Sequence, residues 1–337
     1  MKSQFITFLE YRDINKNFPE NKDLYHDLDW LQLIQNSFNV SIKPLLTSND
    51  HNEIISLTPF FHLKKGPFSL LGSPIRGLYT EYLGSIYRDK LSIEEKSEAI
   101  KSQHNLLLKN ADYIEWGFHN FLELNDYEYI NFDQLGYSCI PKKSLLIDLS
   151  GGESDVWGRF TGNARNMIRK SEKMDVMTKL ENPDDNWINM YYSMLQDTFS
   201  KQGNIVPHPK SFFFELRSLI KSKKIYFLSS YIGDEIVANA IFLLTNQRMV
   251  YLSGTSNEKG LKSASNSSIQ WMAIKTAINE GITNYDMGGL GVKSIDRFKR
   301  SFGGKEITTY RWIHRKSLYA ALEPIAKHLF KLGWIKI

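Results

Sequence analysis

Apolar and polar positions along the chain fall into two successive runs of strand-like alternation. Each run is closed by a helical segment and then by one further strand. In the first half, residues 1–38 are mixed and aromatic, with Trp30, Leu31, Leu33, Ile34 and Phe38 at helical spacing. Strands are predicted over 40–46, 53–64 and 68–71, separated by Ser48-Asn-Asp50 and Lys65-Gly-Pro67. A loop over 72–84 follows. Ser92-Ile-Glu-Glu95 reads as a capping box that opens a helix to about residue 109. Strands over 112–118, 127–133 and 145–149 complete this half.

The second half begins with a helix over 162–174, with Ala164, Met167 and Ile168 on one side and Arg165, Arg169 and Lys173 on the other. A second helix spans 187–201, and 203–209 is a loop. Three strands, 225–231, 235–244 and 248–253, are punctuated by Gly233-Asp234 and Asn246-Gln247, which predicts an antiparallel meander. A loop over 254–263 leads to a helix ending near Glu280, with Gly281 as its cap, and to a strand over 283–287. Both halves thus read meander, loop, helix, strand, which predicts two copies of one α/β (α+β) unit with mixed sheets flanked by helices. A strand–helix–strand order favours a parallel pair, with ligands at the carboxyl ends of the strands. Residues 254–263 and 288–293 would lie at that edge. The tail, 317–337, is amphipathic, with Leu318, Ala321, Leu322, Ile325, Leu329 and Phe330 on its apolar side. It is expected to dock on the first unit. Contact with a membrane surface, aided by Lys316, Lys327 and Lys331, is the alternative.

The stretch from Asn284 to Lys305 organises the second half. Its strand runs into Gly288, Gly289 and Gly291, which let the backbone turn sharply and admit a ligand close to the main chain. A short basic segment follows, with Lys293, Arg297 and Arg300 on one side and Ile295, Phe298 and Phe302 on the other. A strand, a glycine turn and a surface helix would read the same way locally.

Composition narrows the class. The chain has 337 residues, 42% of them hydrophobic, and a single cysteine. That length suits two domains. Cys139 alone excludes an intrachain disulfide and a cysteine-based zinc site, and it reads as a buried spectator in a cytoplasmic protein. No apolar run reaches membrane-span length. Residues 158–173 and 293–316 hold 13 Lys/Arg and 3 Asp/Glu, within a chain of net charge +5. Two basic stretches in an otherwise acidic chain point to a local anion site. His208, between two prolines, reads as structural, and no Ser/His/Asp or Cys/His arrangement is evident.

The order of the second half resembles the GNAT acyltransferase fold. Leu146-Ile-Asp-Leu149 leading to Asn163-Ala-Arg-Asn-Met-Ile-Arg-Lys-Ser-Glu-Lys173 resembles the arginine-rich helix of the FemAB family. Tyr285-Asp-Met-Gly-Gly289 and Phe298-Lys-Arg-Ser-Phe-Gly303 resemble that family's closing motif. The resemblance implies two tandem GNAT-like lobes, 1–146 and 147–316. It also implies transfer of an acyl or aminoacyl group to an amino group of an activated envelope precursor. That precursor would be a nucleotide- or lipid-linked sugar or muropeptide, met at the inner face of the membrane. The donor would be a co-substrate, aminoacyl-tRNA or acyl-CoA, and neither a metal nor a tightly bound cofactor is implied. Arg165 matches a position that meets substrate phosphates, and Phe298 and Lys299 match a pair near the acyl donor. Arg76-Gly-Leu-Tyr-Thr-Glu-Tyr82 loosely resembles a loop that carries an acid near the acceptor amine, which would be Glu81. Leu78 replaces that loop's usual proline. Asn257-Glu-Lys-Gly-Leu-Lys262 keeps only one glycine of the usual pyrophosphate loop.

The chemistry requires a group that takes a proton from the amine, donors for an oxyanion, and a hold on both substrates. Glu81 and Asp286 are the candidate proton acceptors, although an Asp before Gly-Gly also serves simply to hold a turn. Arg76, Arg165, Arg169, Gly288, Gly289, Phe298, Lys299 and Lys305 are the candidate substrate contacts. Two other readings remain: an acyl-CoA N-acetyltransferase acting on a small soluble amine, and a non-catalytic module that binds RNA or another anion.

Overall fold

The structure, a computed structural model, describes residues 1–18, 23–88, 91–118, 130–201, 203–245 and 248–331. It divides into two compact units, Met1–Pro141 with Thr309–Ile337, and Lys142–Thr308.

The first unit opens with β1 (Lys2–Phe5), α1 (Phe8–Asn15) and α2 (Leu28–Ser37). Trp30, Leu31, Leu33 and Ile34 of α2 are all buried. The two long strands expected next are each broken in two. β2 (Ser41–Ile42) and β3 (Leu45–Ser48) are separated at Pro44, and β4 (Ile54–Thr58) and β5 (Phe61–Lys65) at Pro59. Proline has no N–H to give a ladder, so the chain changes sheet at both points. β1, β3, β4 and β7 (Ile86–Tyr87) form one four-stranded sheet, while β2 and β5 join β6 (Phe68–Ser73) in another. The capping box forms as read: the Glu95 amide donates to Ser92 Oγ at 3.2 Å and the Ser92 amide donates to Glu95 Oε2 at 2.8 Å. It opens α3 (Ile93–Asn110). β8 (Tyr113–Gly117) then pairs parallel with β6, from Leu70↔Tyr113 to Ser73↔Trp116. Of the strand expected over 127–133, residues 127–129 lie outside the described residues and 130–133 form bends and turns.

The second unit contains β9 (Ser138–Asp148) from Lys142 onward, α4 (Gly152–Arg159), α5 (Gly162–Lys173), β10 (Val176–Glu181), α6 (Asp185–Ser200) and α7 (Lys210–Glu215). It continues with β11 (Ile225–Ile232), β12 (Glu235–Leu244), β13 (Arg248–Ser256), α8 (Glu258–Lys262), α9 (Ser265–Asn279), β14 (Asn284–Gly289) and α10 (Lys293–Arg300). The meander is present, lengthened by β10, in the order β10-β11-β12-β13-β14-β9. The turn expected at Asn246-Gln247 lies outside the described residues. Residues expected as a loop after β13 instead wind into α8, because Asn257 caps it by accepting from the Gly260 amide at 2.9 Å. The core is built on Leu145, Phe160, Ile168, Phe242, Ile274 and Tyr285.

The last elements are β15 (Lys305–Arg315), whose residues from Thr309 onward belong to the first unit, and α11 (Ser317–Lys331) of that unit. β15 pairs antiparallel with β8, Arg311↔Gly117 through Arg315↔Tyr113. α11 docks by a face other than the expected one. Tyr319 is buried against Phe68 and Tyr113, with ring centroids 5.2 and 5.6 Å away, and Arg315 pairs with Glu323 at 2.7 Å. Leu318, Leu322 and Ile325 are exposed. The aromatic partners Phe68 and Tyr113 explain the choice, because they offer an edge-to-face seat to a ring. The side chains of Lys327, Leu329, Phe330 and Lys331 lie outside the described ones. Cys139 is exposed rather than buried.

Candidate active site

In the second unit the two parallel strands meet and then part. β13 and β14 pair only over Arg248↔Asn284, Met249↔Tyr285 and Val250↔Asp286, yet β13 continues to Ser256 and β14 to Gly289. Beyond Val250 and Asp286 the facing main-chain edges have no partner strand among the described residues of the unit. α9 is the crossover helix that makes this pair parallel.

Asp286 holds the strand end where the parting begins. It is fully buried and accepts from Arg248 Nη1 at 2.7 Å, from the Gly288 amide at 2.8 Å, and from Ser144 Oγ. Arg248 is itself 4% exposed at its side chain. Two desolvated charges persist here because each is paired, and removing one partner of such a pair costs about 3–5 kcal/mol. Gly288 has φ +77°, and a Cβ there would lie 3.3 Å from the Tyr251 carbonyl oxygen. The glycine therefore serves both the turn and the close approach of β13.

α10 brings Phe298 and Lys299 to this end. Asp296 accepts from the amides of Gly291 at 3.0 Å and Val292 at 3.3 Å, which closes the first turn of α10 onto the glycine loop. Phe298 packs edge-on to Phe302, and Phe302 packs on Phe160. Lys299 is 7% exposed and its Nζ donates to the Gly289 carbonyl at 2.7 Å. A cavity of about 820 Å³ opens from here, lined among others by Tyr251, Gly254, Thr255, Phe298 and Lys299. That volume suits a ligand of cofactor or substrate size. Burial pushes the Tyr251 phenol up to about 12, so at neutral pH it is a neutral donor. On the far wall, α6 is tied to β13 by Tyr191 Oη donating to Ser253 Oγ at 2.7 Å and Thr255 Oγ1 donating to the Met194 carbonyl at 2.9 Å.

The candidates distribute unevenly. Gly288, Gly289, Phe298 and Lys299 come together with Asp286 at the strand end. Arg165, which the resemblance assigns to substrate phosphates, turns one guanidinium nitrogen inward. Its Nη1 donates to the carbonyls of Trp157, Gly158 and Phe160, the orphan acceptors at the C-terminus of α4. Arg169 stacks over Trp157 at 5.7 Å from its centroid, and Lys305 is exposed at the start of β15. Arg76 and Glu81 lie in the first unit. There the Arg76 amide donates to the buried Glu115 at 3.1 Å, and Arg311 donates to Glu115 at 2.6 Å and to the Glu81 carbonyl at 3.1 Å. The exposed Glu81 carboxylate therefore stands on a loop pinned at both sides.

Arg248, Ser144, Tyr251, Glu115 and Arg311 were not singled out from sequence. The available signal was a charge inside an apolar strand, as in Tyr113-Ile-Glu-Trp116 and Arg248-Met-Val-Tyr251. In residues 257–262, which stand where a pyrophosphate loop is expected, the Asn257 amide bonds the Val237 carbonyl of β12 at 3.0 Å, and two further amides are spent within the segment. The Gly260 amide bonds Asn257 Oδ1, and the Leu261 amide bonds the Asn257 carbonyl at 3.0 Å. Among the described residues no cluster of His, Cys, Asp and Glu could hold a metal ion.

Residues 158–300 match the family model of the acetyltransferase (GNAT) domain. Among solved structures, the chain is similar to FemX at 14% identity, covering 96% of this chain and all of that one, with a TM-score of 0.68. It is similar to the C-terminal domain of a putative lysylphosphatidylglycerol synthetase from Agrobacterium fabrum at 10% identity, covering 95% and 97% of the two chains, TM-score 0.57. A tandem GNAT protein from the clavulanic acid biosynthesis pathway aligns at 6% identity over 93% and 98%, TM-score 0.54. No curated protein matches the sequence. The fold is a two-lobe GNAT-like one, and the residues that match the acetyltransferase (GNAT) domain model lie in its second unit.

Proposed function

We propose that this protein is a transferase that forms an amide, moving an activated acyl or aminoacyl group onto an amino group of a cell-envelope precursor. The observation that carries the reading is the parting of β13 from β14 at Gly288-Gly289, where a buried lysine and a cavity meet unpaired strand edges. An extended donor laid along the β13 edge would be held by main-chain groups, with its reactive carbonyl beside Lys299. Holding two reactants together supplies on the order of 7–11 kcal/mol in ideal cases.

In this reading Lys299 neutralises negative charge on the donor, Phe298 packs on its acyl part, and Asp286 with Arg248 positions the glycine turn without exchanging protons. Glu81, the exposed carboxylate of the first unit, is the proton acceptor the family resemblance suggests, and Glu81→Gln tests it. Arg169 and Lys305, both on the surface of the second unit, are assigned to acceptor phosphates. FemX and the lysylphosphatidylglycerol synthetase domain support a precursor- or lipid-linked acceptor and an aminoacyl donor. The use of the Gly260 and Leu261 amides to close α8 onto Asn257 weighs against their holding a CoA pyrophosphate.

A thermal-shift screen followed by turnover assays tests the reading. Stabilisation by an envelope precursor, with amide formation from an aminoacyl donor, is the expected result. Stabilisation by acetyl-CoA, with acetylation of a small amine, would replace it, and a response to RNA irrespective of charging would remove the catalytic assignment. Lys299→Met is expected to lower kcat/KM for the donor on the order of a hundredfold, with Lys299→Arg recovering part of it.

A further inference from the structure

Tyr251 is the first residue of β13 beyond the last parallel pair with β14, Val250↔Asp286. Phe242 holds its ring, with centroids 5.5 Å apart. Its main chain abuts the lysine of α10: a Cβ on Gly288 would lie 3.3 Å from the Tyr251 carbonyl oxygen and 3.6 Å from Lys299 Nζ. The phenol folds against Gly254 further along the same strand, where a Cβ would overlap the hydroxyl oxygen. Gly254 has no left-handed φ to explain it, so what its missing side chain provides is room for the phenol. Both residues line the cavity. Among the described residues the Tyr251 hydroxyl has no hydrogen-bond partner, whereas the Tyr285 hydroxyl on β14 is spent on Gln270.

We propose that the Tyr251 hydroxyl donates a hydrogen bond to the carbonyl oxygen of the activated acyl group, whether that group arrives as an aminoacyl ester of a nucleoside or as a thioester. The inference rests on the cavity being the donor site of the proposed transferase. Burial keeps the phenol protonated up to about 12, so at neutral pH it offers its proton. The charges that line the cavity balance, Asp197, Glu235 and Glu258 against Lys201, Lys259 and Lys299, so nothing there selects a group of large negative charge. A neutral donor beside Gly254 and Phe298 suits a neutral acceptor, and a carbonyl is the neutral acceptor that an acyl donor brings. As the amine nitrogen bonds to the carbonyl carbon, the π pair moves onto the oxygen, and the bond from Tyr251 strengthens with that charge. The pair returns as the leaving oxygen or sulfur departs with its bonding electrons. The proton lost by the amine goes to a base on the acceptor side, and Tyr251 keeps its own throughout.

The test is calorimetric binding to the full chain of two probes: puromycin, a nucleoside that carries an aminoacyl group through a stable amide, and acetyl-CoA. At least one is expected to bind, which names the source of the acyl group, and Tyr251→Phe is expected to raise its Kd roughly tenfold. That variant should keep its melting temperature, because the hydroxyl has no partner among the described residues. Gly254→Ala displaces the phenol and is expected to weaken binding in the same way, while adding little in the Tyr251→Phe background. With tyrosine isotope-labelled at Cζ, the resonance that Tyr251→Phe deletes is expected to shift when the bound probe is added. No binding of either probe by the unaltered protein, an equal Kd in Tyr251→Phe, or an unshifted resonance would each overturn the inference. None of these readouts needs turnover. Binding that depends on Tyr251 without any amide formed would remove the transferase reading and keep the carbonyl contact, and amide formation with binding indifferent to Tyr251→Phe would do the reverse.

Discussion

Arg165 sits on the polar side of an amphipathic helix, which from the sequence reads as a side chain offered to solvent or to a phosphate. Its guanidinium instead closes the end of the neighbouring α4. Helical periodicity predicts which way a side chain leaves its own helix, but not which foreign carbonyls lie in that direction. Arg165→Ala is therefore expected to cost about 1–3 kcal/mol of stability, read by denaturant unfolding, with no change in acceptor KM at saturating donor. His208 gives a second measurable consequence. Burial lowers its pKa from 6.5 to about 4. The unfolded chain then takes up a proton that the folded one refuses, so its contribution is full above about pH 6.5 and is lost as pH falls toward 4. Melting temperature should drop over that window, and His208→Gln should flatten the drop.

At the scale of elements, α8 and the glycine turn after β14 frame the cavity. Gly260 lies against β12 so closely that a Cβ would come within 2.2 Å of the Val237 carbonyl oxygen. Gly260→Ala must push α8 away from the strand, which is expected to cost about 1–3 kcal/mol and to weaken donor binding, measured together by unfolding and by KM. The same glycine was read from the sequence as the remnant of a phosphate loop. A glycine signals that something comes close to the backbone, but not whether a ligand or a neighbouring strand does so. The broken strands at Pro44 and Pro59 teach the converse: their residues were correctly read as extended, but the change of sheet is set by which partner has free N–H and C=O groups.

For the whole molecule, two units with the same order of meander, crossover helix and parallel strand place a buried carboxylate on each second parallel strand, Glu115 on β8 and Asp286 on β14. Each is paired with an arginine, Arg311 or Arg248. If the cavity of the second unit binds the donor, a donor analogue at a hundred times its Kd should stabilise the protein by about 2.7 kcal/mol. The Lys299→Met variant should lose most of that shift while keeping its unliganded melting temperature within a few degrees. A shift unaffected by Lys299→Met would place the ligand elsewhere.

The sequence by itself determined the elements whose signals are local: the Ser92 box, the α2 and α5 faces, the β11–β13 meander, the glycine end of β14, and the doubled order from which a GNAT-like fold follows. These depend on period and on residue-intrinsic backbone preference, which act within a few positions of the chain. Only the tertiary structure decided what each charged side chain does. Arg248 meets Asp286 across neighbouring strands, Glu115 meets Arg311 from almost the far end of the chain, Arg165 turns to α4, and α11 docks by Tyr319 rather than by Leu318, Leu322 and Ile325. The physical reason is that a buried charge or ring is stable only where a partner of the right geometry is waiting. That partner comes from another element, at a sequence distance that no local pattern records.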